Sequence, residues 1–206
     1  MHKIVFLLNL CKAFSRKRRC IKKIAYGRER VCLEIGSSEV RPGWFTMDIG
    51  VKADIHHDLL KGIPLPDNSV DQLYCSHLLE HFSYRNLIEL LGACKRVLKP
   101  GGSFKISVPN AEIYLKAYSE PEKFSKDKYC VWKPGLNYFS PIDYVNYMAY
   151  MEGEDGAINH RHLFDEKNIV GILKTAGFKD VGIRDFEPGL DPDKRRYESI
   201  YVSCTK

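Results

Sequence analysis

Long apolar stretches are absent from this sequence of 206 residues. The apolar run near its start, residues 4–10, is much shorter than the roughly 20 residues that a membrane-spanning helix needs. No small-residue cleavage site precedes the basic cluster Arg16–Arg19, so the run is not typical of a signal peptide. The sequence therefore predicts a chain without a membrane span or a secretion signal.

Paired cysteine motifs are also missing. The seven cysteines are odd in number, scattered, and nowhere form a CxxC pair. Three of them, Cys32, Cys75 and Cys204, fall inside strand-like apolar runs. Disulfide frameworks and structural zinc sites use closer and more regular spacings. The cysteines are therefore predicted to be free thiols in a reducing compartment, and the chain is predicted to be cytoplasmic.

An excess of positive charge is lacking in most of the chain. Residues 1–30 contain ten Lys or Arg and one acid, whereas the other 176 residues contain 22 Lys or Arg and 25 acids. A nucleic-acid-binding body would carry its own basic face, so no nucleic-acid partner is expected. The charge divides the chain into a basic amphipathic N-terminal arm, residues 1–30, and a domain at residues 31–206.

The N-terminal arm has two interpretations. Apolar residues followed by a polybasic segment are typical of an interfacial helix, which binds anionic lipid at about 1 kcal/mol per basic residue near the surface. That interpretation predicts a peripheral position at the inner face of a membrane. The alternative is an amphipathic helix that packs on the domain and leaves its charges in water. The sequence leaves both open.

Short apolar runs that end in turns or acids predict a buried parallel sheet. Strands of this kind are short and apolar because both sheet faces are covered. Ligands of open α/β sheets bind at the carboxyl ends of the strands, where these acids and turns fall. Residues Arg85–Leu98 have the spacing of an amphipathic helix. The predicted strands lie at residues 31–35, 44–48, 53–59, 70–75 and 103–108.

The order of the motifs LEIG, LPDNSVDQLYCSHLLEHF and LKPGGSFKISVPN resembles that of class I S-adenosylmethionine-dependent methyltransferases. It is most similar to the small type-11-like branch associated with glycan biosynthesis. The resemblance implies a Rossmann-like α/β sheet of order 3-2-1-4-5-7-6, whose last strand is antiparallel. It also implies S-adenosyl-L-methionine as cofactor, S-adenosyl-L-homocysteine as product, and no metal.

The resemblance assigns cofactor-binding roles to residues at the strand ends. Glu34 would take the methionine ammonium, Asp48 both ribose hydroxyls, and Asp58 with the Leu59 backbone the adenine edge. The simpler interpretation of these acids is a solvated strand end or a helix cap. The full set implied for the cofactor is Glu34, Gly36, Ser37, Ser38, Asp48, Ile49, Asp58, Leu59, Ser76 and His77.

Two departures from the family pattern concern the turn after the first strand. The usual glycine-rich turn keeps only Gly36, which is followed by Ser37 and Ser38. Only seven residues, Ser37–Gly43, separate the first two strands, although a crossover between parallel strands usually needs a dozen or more. The first crossover helix is therefore predicted to be lost or reduced to one turn.

Four histidines, His77, His81, His160 and His162, are candidate general bases. An imidazole titrates near neutral pH and suits removal of a hydroxyl proton. A hydrogen-bonded histidine that fixes a loop is the simpler interpretation. The run HLLEH also matches H-x-x-E-H, a zinc-peptidase signature that requires both histidines on one helical face. Its position directly after a strand favours a structural role, with Glu80 and His81 capping or lining the pocket.

Residues 111–160 are predicted to form an aromatic-rich insertion above the strand ends. Such an insertion would cover the ligand and shape the acceptor pocket, although aromatic clusters more often pack a small subdomain. Beyond it, Asp165 is the predicted N-cap of a helix at Glu166–Ala176. Residues 179–186 and 197–204 are the predicted last two strands. The aromatic and methionine positions considered are Trp132, Tyr138, Phe139, Tyr144, Tyr147, Met148 and Tyr150.

The resulting hypothesis is in-line methyl transfer to an oxygen or nitrogen acceptor. The preferred acceptor, by family analogy, is a sugar hydroxyl of a glycan or glycolipid precursor. One alternative is a methyltransferase of a soluble small metabolite. Another is a degenerate, non-catalytic binding subunit, which the glycine-poor turn motivates. The sequence leaves the oligomeric state open.

Overall fold

The computed structural model describes residues 2–27, 29–130, 139–149 and 160–206, and the side chains of these residues except for 2–8 and 127. Three of the aromatic positions considered above, Trp132, Tyr138 and Tyr150, therefore lie outside the described residues. No helix in the described part of the chain combines the length and the apolar character that a membrane crossing requires.

Seven strands form one sheet in the order β3-β2-β1-β4-β5-β7-β6. Strands β1 to β5 run parallel to one another, and β7 runs antiparallel to both β5 and β6. The predicted order and the reversed last strand are confirmed. The strands are β1 (Cys32–Ile35), β2 (Phe45–Asp48), β3 (Ile55–His56), β4 (Val70–Ser76), β5 (Leu98–Pro109), β6 (Lys179–Ile183) and β7 (Ser199–Thr205).

The helices begin at polar caps that the sequence supplies. The Ser83 hydroxyl accepts from the Asn86 backbone N–H, and the Asp165 carboxylate accepts from the Asn168 backbone N–H, as predicted for Asp165. The helices are α1 (His2–Tyr26), α2 (Tyr84–Val97), α3 (Ala111–Ser119), α4 (Lys126–Tyr129), α5 (Ile142–Ala149) and α6 (Glu166–Thr175).

The connection between β1 and β2, residues 36–44, contains no helix. The prediction that the first crossover helix is lost or reduced is therefore confirmed. The Gly36 backbone N–H donates to the Met47 carbonyl at 2.8 Å, which ties the start of this link to the neighbouring strand. Because β1 and β2 pair in parallel, with Ile35 opposite Met47, their ends lie close together at the carboxyl edge of the sheet.

The two faces of the sheet differ in polarity. Register pairing places Leu33, Leu73 and Phe104 in one row on one face, and Glu34, Tyr74 and Lys105 in the adjacent row on the other. The apolar face joins a continuous core with buried residues of α2 and α6. The opposite face is therefore the one that carries the polar and charged side chains of the central strands.

Charged residues of the connection between β6 and β7 lie against this polar face. The Tyr74 hydroxyl donates to Asp191 Oδ1 at 3.0 Å, and the Arg184 guanidinium donates to both Asp191 oxygens at 2.6 and 2.8 Å. Lys105 Nζ donates to Glu187 Oε2 at 2.6 Å. These hydrogen bonds satisfy the polar side chains that β4 and β5 carry on this face of the sheet.

Helix α1 packs against the domain at the β3 edge of the sheet. Ala13 and Ile24 are buried, and Arg16 donates to the backbone carbonyls of Ala53, at 3.0 Å, and Val51. Arg18 and Arg19 on the same helix are exposed. The helix therefore has an inner side that contacts the sheet and an outer side that presents basic residues to solvent.

Candidate functional site

A cavity of about 430 Å³, called the strand-end cavity below, opens at the carboxyl ends of β1, β2 and β4. Its volume lies in the range of small-molecule sites, about 300–1,000 Å³. The structure places six of the ten predicted cofactor residues on its wall, together with the candidate base His81. The six are Gly36, Asp48, Ile49, Asp58, Leu59 and His77.

Asp48 ends β2 with one carboxylate oxygen held in place. Its Oδ1 accepts from the Gly50 backbone N–H at 2.6 Å, and among the described residues its Oδ2 accepts no hydrogen bond. A Cβ on Gly50 would lie 3.0 Å from Asp48 Oδ1 and 2.9 Å from Ser38 Cβ, so a side chain there would displace Ser38 or the Asp48 carboxylate. The carboxylate is therefore fixed in orientation and retains acceptor capacity.

Gly36 forms the floor of the strand-end cavity beside Leu78. Its φ of 80° lies in the region that favours glycine, and an added Cβ would lie 2.7 Å from Leu78 Cδ1. Both residues line the cavity. The backbone conformation thus favours the single glycine that remains of the motif, and a side chain there would displace Leu78.

Asp58 takes the capping role that the simpler interpretation proposed, and it also lines the cavity. Its Oδ1 accepts from the Leu60 backbone N–H at 3.0 Å and caps the 3-10 turn Leu59–Lys61. Leu59 is buried, whereas Leu60 is 61% exposed and contributes to the cavity wall. The cap fixes the backbone of this turn at the cavity wall.

Glu34 does not line the strand-end cavity. Its carboxylate pairs with Arg41 Nε at 2.8 Å and is 9% exposed. Burial raises the pKa of Glu34, and the Arg41 charge opposes that rise. Arg41 also donates to the Leu190 carbonyl at 2.9 Å and lies over the Tyr74 ring. The acid at the end of β1 is thus engaged by a residue of the short β1–β2 link.

Three predicted serines also lie away from the cavity wall. The Ser37 hydroxyl accepts from the Glu39 backbone N–H at 3.2 Å, and the Ser38 side chain lies beside Gly50. The Ser76 hydroxyl accepts from the Ser107 hydroxyl at 2.8 Å on the polar face of the sheet. These side chains stabilise the turn and the strands rather than facing the cavity.

His77 directly follows β4 with both ring nitrogens engaged. Arg195 donates to Nδ1, so Nε2 carries the proton and donates to the Ser199 hydroxyl at 2.7 Å. Burial and then the Arg195 charge hold the pKa of His77 well below its usual value. Its φ of 47° is rare for a residue with a side chain. His77 therefore has no lone pair free to take a proton from an acceptor.

Glu80 lies in the 3-10 turn Leu79–His81 and is 1% exposed. Neither carboxylate oxygen has a hydrogen-bond partner among the described residues. Burial raises the pKa of Glu80 to about 8. Nearby imidazoles approach Oε1, with His77 Nδ1 at 3.6 Å and His81 Nε2 at 4.0 Å. Because the turn is not an α-helix, the H-x-x-E-H run does not form a zinc-peptidase helix.

The segment after the insertion brings His160 to this turn. The backbone N–H groups of Arg161 and His162 donate to the Glu80 carbonyl at 2.7 and 3.0 Å. The rings of His160 and His81 then meet edge to face with centroids 5.1 Å apart. Burial, followed by the charge of His81, lowers the pKa of His160 to about 4. His160 is therefore a neutral imidazole near pH 7.

His162 lies apart from the other three candidate bases. Its Nε2 is 3.0 Å from Asn168 Oδ1, and its ring stacks on Tyr84 and packs against Phe164. It does not line the strand-end cavity. The loop-fixing interpretation describes what this side chain does in the structure.

The described part of the predicted insertion packs as a small subdomain. Tyr144, Tyr147 and Met148 of α5 form a buried cluster with Ala111 and Tyr114 of α3. Phe139 is 87% exposed. The packing interpretation holds for the two described tyrosines of α5.

Sequence reasoning missed several residues of the cavity wall. Five of them follow β4 or the insertion directly, and only the fold shows that they face the same space. Ser83 carries a recognisable signal, because an N-cap before an amphipathic run places a helix start at the strand end. Arg161 has no such signal beyond its neighbour His160. The five are Leu78, Phe82, Ser83, Asn86 and Arg161.

Comparison with known proteins yields a methyltransferase match for part of the chain. A family model described as "Methyltransferase domain" matches residues 37–106. A probable S-adenosylmethionine-dependent methyltransferase of Mycolicibacterium smegmatis is 41% identical over 70 residues, which are 34% of this chain and 26% of that protein. A ubiquinone/menaquinone biosynthesis C-methyltransferase of Caulobacter sp. is 31% identical over 135 residues, which are 62% of this chain and 46% of that protein.

The fold likeness extends over more of the chain than the sequence likeness does. Phosphoethanolamine N-methyltransferase 2 of Haemonchus contortus, solved with S-adenosyl-L-methionine, superposes with a TM-score of 0.51 at 13% identity, covering 91% of this chain and 51% of that one. The chain spans 26% and 46% of the two curated relatives named above. The sheet of this chain is thus the Rossmann-like sheet of class I methyltransferases.

Proposed function

We propose that this chain is an S-adenosylmethionine-dependent methyltransferase that uses the strand-end cavity. Asp48 carries the proposal, because its carboxylate ends β2 on the cavity wall and one oxygen is left to accept from a ligand. A carboxylate in this position suits the vicinal hydroxyls of a ribose. The match to a methyltransferase domain over residues 37–106 supports the same function.

Residues on the cavity wall fit the parts of this cofactor. Gly36 lets backbone approach the ligand, and the capped turn at Asp58 and Leu59 offers backbone groups and an apolar surface for a purine. The assignment of Glu34 to the methionine ammonium requires displacement of Arg41 from its carboxylate. Asp48 is therefore a better single test of cofactor binding than Glu34.

The bound cofactor would supply a methyl group on a positively charged sulfur, which an acceptor lone pair attacks in line. The chain would contribute orientation of the acceptor and exclusion of water, which are large effects for a reaction between two bound substrates. His81 lines the cavity and is the imidazole placed to take a proton from an acceptor hydroxyl. His77, with both nitrogens engaged, would instead position this wall.

The preferred acceptor is a sugar hydroxyl of a glycan or glycolipid precursor, handled in the cytoplasm at the inner face of a membrane. The exposed basic residues of α1 support the membrane part of this proposal, and family analogy supports the sugar. A small soluble metabolite is the second candidate, which the similarity to the Caulobacter C-methyltransferase favours. A panel of sugar, lipid-linked and quinone-type acceptors, assayed for transfer of a labelled methyl group, separates the two.

Calorimetry with S-adenosylmethionine and S-adenosylhomocysteine tests the proposal directly. We expect saturable binding to the full chain, and an affinity about tenfold or more lower in Asp48→Ala, because a charge-assisted hydrogen bond contributes about 1.5–3 kcal/mol. Asp185→Ala is the matched control, since Asp185 is exposed and lies outside the cavity wall. Absence of binding by the folded wild-type protein would reject the enzyme. Binding without transfer to any acceptor would favour the non-catalytic alternative.

A further inference from the structure

We infer that Glu80, His81 and His160 form a binding site for one divalent transition-metal ion of the zinc class. One ligand atom from each residue, a carboxylate oxygen or an imidazole nitrogen, lies within 4.8 Å of the other two. This inference departs from the sequence-based expectation of no metal. It rests on the geometry of these three side chains and not on the proposed methyl transfer.

The spacing of the ligand atoms needs only a small adjustment to hold an ion. Zinc–nitrogen and zinc–oxygen bonds of about 2.0–2.2 Å place tetrahedral ligand atoms about 3.3–3.5 Å apart. His81 Nε2 and Glu80 Oε1 are 4.0 Å apart, and no pair in the set exceeds 4.8 Å. Side-chain rotations that move the ligand atoms by about 1 Å would therefore bring all three within bonding distance of one cation.

Glu80 provides an independent reason to expect a ligand. It is 1% exposed, and neither oxygen accepts a hydrogen bond from the described residues. A buried carboxyl group without hydrogen-bond partners is costly, and native proteins rarely leave one. Coordination of a cation by an oxygen of Glu80 would remove this cost.

His160 is held in the manner of a metal ligand. The His160 ring donates to the Met148 backbone carbonyl, and its Nδ1 is buried without a hydrogen-bond partner. Ligating histidines commonly donate their other ring N–H to a carbonyl, which orients the ring. The bonds from Arg161 and His162 backbone N–H groups to the Glu80 carbonyl fix the segment that carries His160 to the turn that carries His81.

The charges around the site allow a cation. Arg195 is the nearby positive residue, and its guanidinium donates to His77 and lies 3.7 Å from Glu198 Oε1. Because Glu198 is buried beside Arg195, its negative charge neutralises the charge of Arg195 without any contribution from Glu80. The carboxyl group of Glu80 is then the remaining acidic group, and a bound cation would displace its proton. His77 is excluded as a fourth ligand because both of its nitrogens are already engaged.

The ligand set selects the kind of ion. Two imidazoles and one carboxylate suit Zn²⁺, Co²⁺ or Ni²⁺, whereas Mg²⁺ and Ca²⁺ prefer oxygen ligands alone. Three protein ligands leave a coordination position for water or a substrate oxygen, as in catalytic zinc sites. Because His81 also lines the strand-end cavity, the site adjoins that cavity, and a bound ion would take a His81 nitrogen that otherwise serves as the base.

Metal titration of the chelator-treated full chain tests the site. We expect one Zn²⁺ per chain by calorimetry, and at least tenfold weaker binding in Glu80→Gln and in His160→Ala. His162→Ala is the matched control, because His162 comes from the same segment but contacts Asn168 and Tyr84 instead. The control is expected to bind as the wild type does. Circular dichroism checks that each variant is folded, and His160→Ala decides the question if Glu80→Gln does not fold.

Cobalt distinguishes this site from the seven cysteines of the chain. We expect Co²⁺ to give visible absorption of a low-symmetry nitrogen and oxygen site, without thiolate charge-transfer bands in the ultraviolet. The inference is overturned by lack of saturable binding to folded wild-type protein, by thiolate bands, or by unchanged affinity in both ligand variants.

Discussion

At the scale of single residues, Gly36 and Leu78 couple the glycine motif to the cavity. A Cβ added to Gly36 would clash with Leu78, whose Cδ1 would lie only 2.7 Å from it. The end of a leucine side chain can rotate, and both residues line the strand-end cavity. The steric clash of a side chain at position 36 is therefore relieved when Leu78 moves into the space that a ligand would use.

Gly36→Ala is expected to abolish cofactor binding while changing stability modestly. Gly43 is the matched control, because its φ of 78° is similar and nothing lies within 4 Å of an added Cβ. Both alanine variants should lose about 1 kcal/mol of unfolding free energy from the unfavourable φ. Only Gly36→Ala should lose affinity for S-adenosylhomocysteine, and Leu78→Ala in the same chain should restore part of it. Equal affinity losses in both single variants would contradict this account.

Some residue roles were predictable and others depend on the fold. Gly36 and Asp48 could be located because a turn and an acid after a strand mark the carboxyl edge of a sheet. The pairing of Glu34 with Arg41 could not, because it arises from a link too short for a helix. The meeting of His81 with His160 is set by long-range backbone bonds that no local pattern reveals.

At the scale of elements, α1 agrees with the packing interpretation, and contact with a membrane stays a prediction. Its inner side packs on the sheet through Ala13 and Ile24, which bears out packing. Its outer side keeps Arg18, Arg19 and Lys22 exposed. Packing on the domain therefore leaves a basic surface free, and removal of the whole helix would disturb the core as well as the charge.

Neutralising the outer side of α1 is expected to weaken binding to anionic vesicles. The test is sedimentation with phosphatidylserine vesicles of a triple variant, Arg18→Ala, Arg19→Ala and Lys22→Ala. Its bound fraction should fall, because each basic residue contributes about 1 kcal/mol of binding free energy at low salt. The matched control removes the equally exposed charges of Lys167, Lys174 and Lys179. Equal loss in both variants, or no binding by the wild type, would dismiss a specific role for α1.

Element prediction succeeded where periodicity was strong. Helix α2 was placed within one residue at each end, and the strand order was the one that the resemblance to class I methyltransferases implied. Strand β5 begins at Leu98, before the predicted Ser103, and its register against β4 shifts between Val70 and Gln72. Pairing with β4 extends the strand through a Pro-Gly-Gly sequence that local signals mark as a turn.

At the scale of the whole molecule, one sheet face is covered by ion pairs together with aromatic rings. Asp191 is 4% exposed and joins Tyr74 on β4 to Arg184 after β6. Burial alone would raise the pKa of Asp191, but the hydrogen bonds from Arg184 and the Glu187 backbone hold the pKa below its usual value. A buried pair of this kind tolerates loss of one partner poorly.

Asp191→Asn is expected to lower the unfolding free energy by about 3–5 kcal/mol at neutral pH, because Arg184 is left buried without its partner. The folded pKa is below the unfolded one, so the stabilisation is complete above the unfolded pKa and is lost as pH falls through the folded pKa. Urea unfolding at about pH 7 and about pH 3 should therefore show a smaller difference from wild type at the lower pH. The exposed Asp185→Asn serves as control. A difference that does not shrink in acid would contradict the role of the charge.

The position of β7 sets an order of events during synthesis. Strand β6 has β7 as its neighbour in the sheet, and β7 also separates it from β5. A chain emerges from the ribosome from its amino end, so β6 is made before the strand that joins it to the sheet. Until residue 205 has emerged, β5 has no partner on that side and β6 none in the sheet. Ribosome-bound chains that stop short of β7 should therefore expose two unpaired edges, which makes them clients for a chaperone.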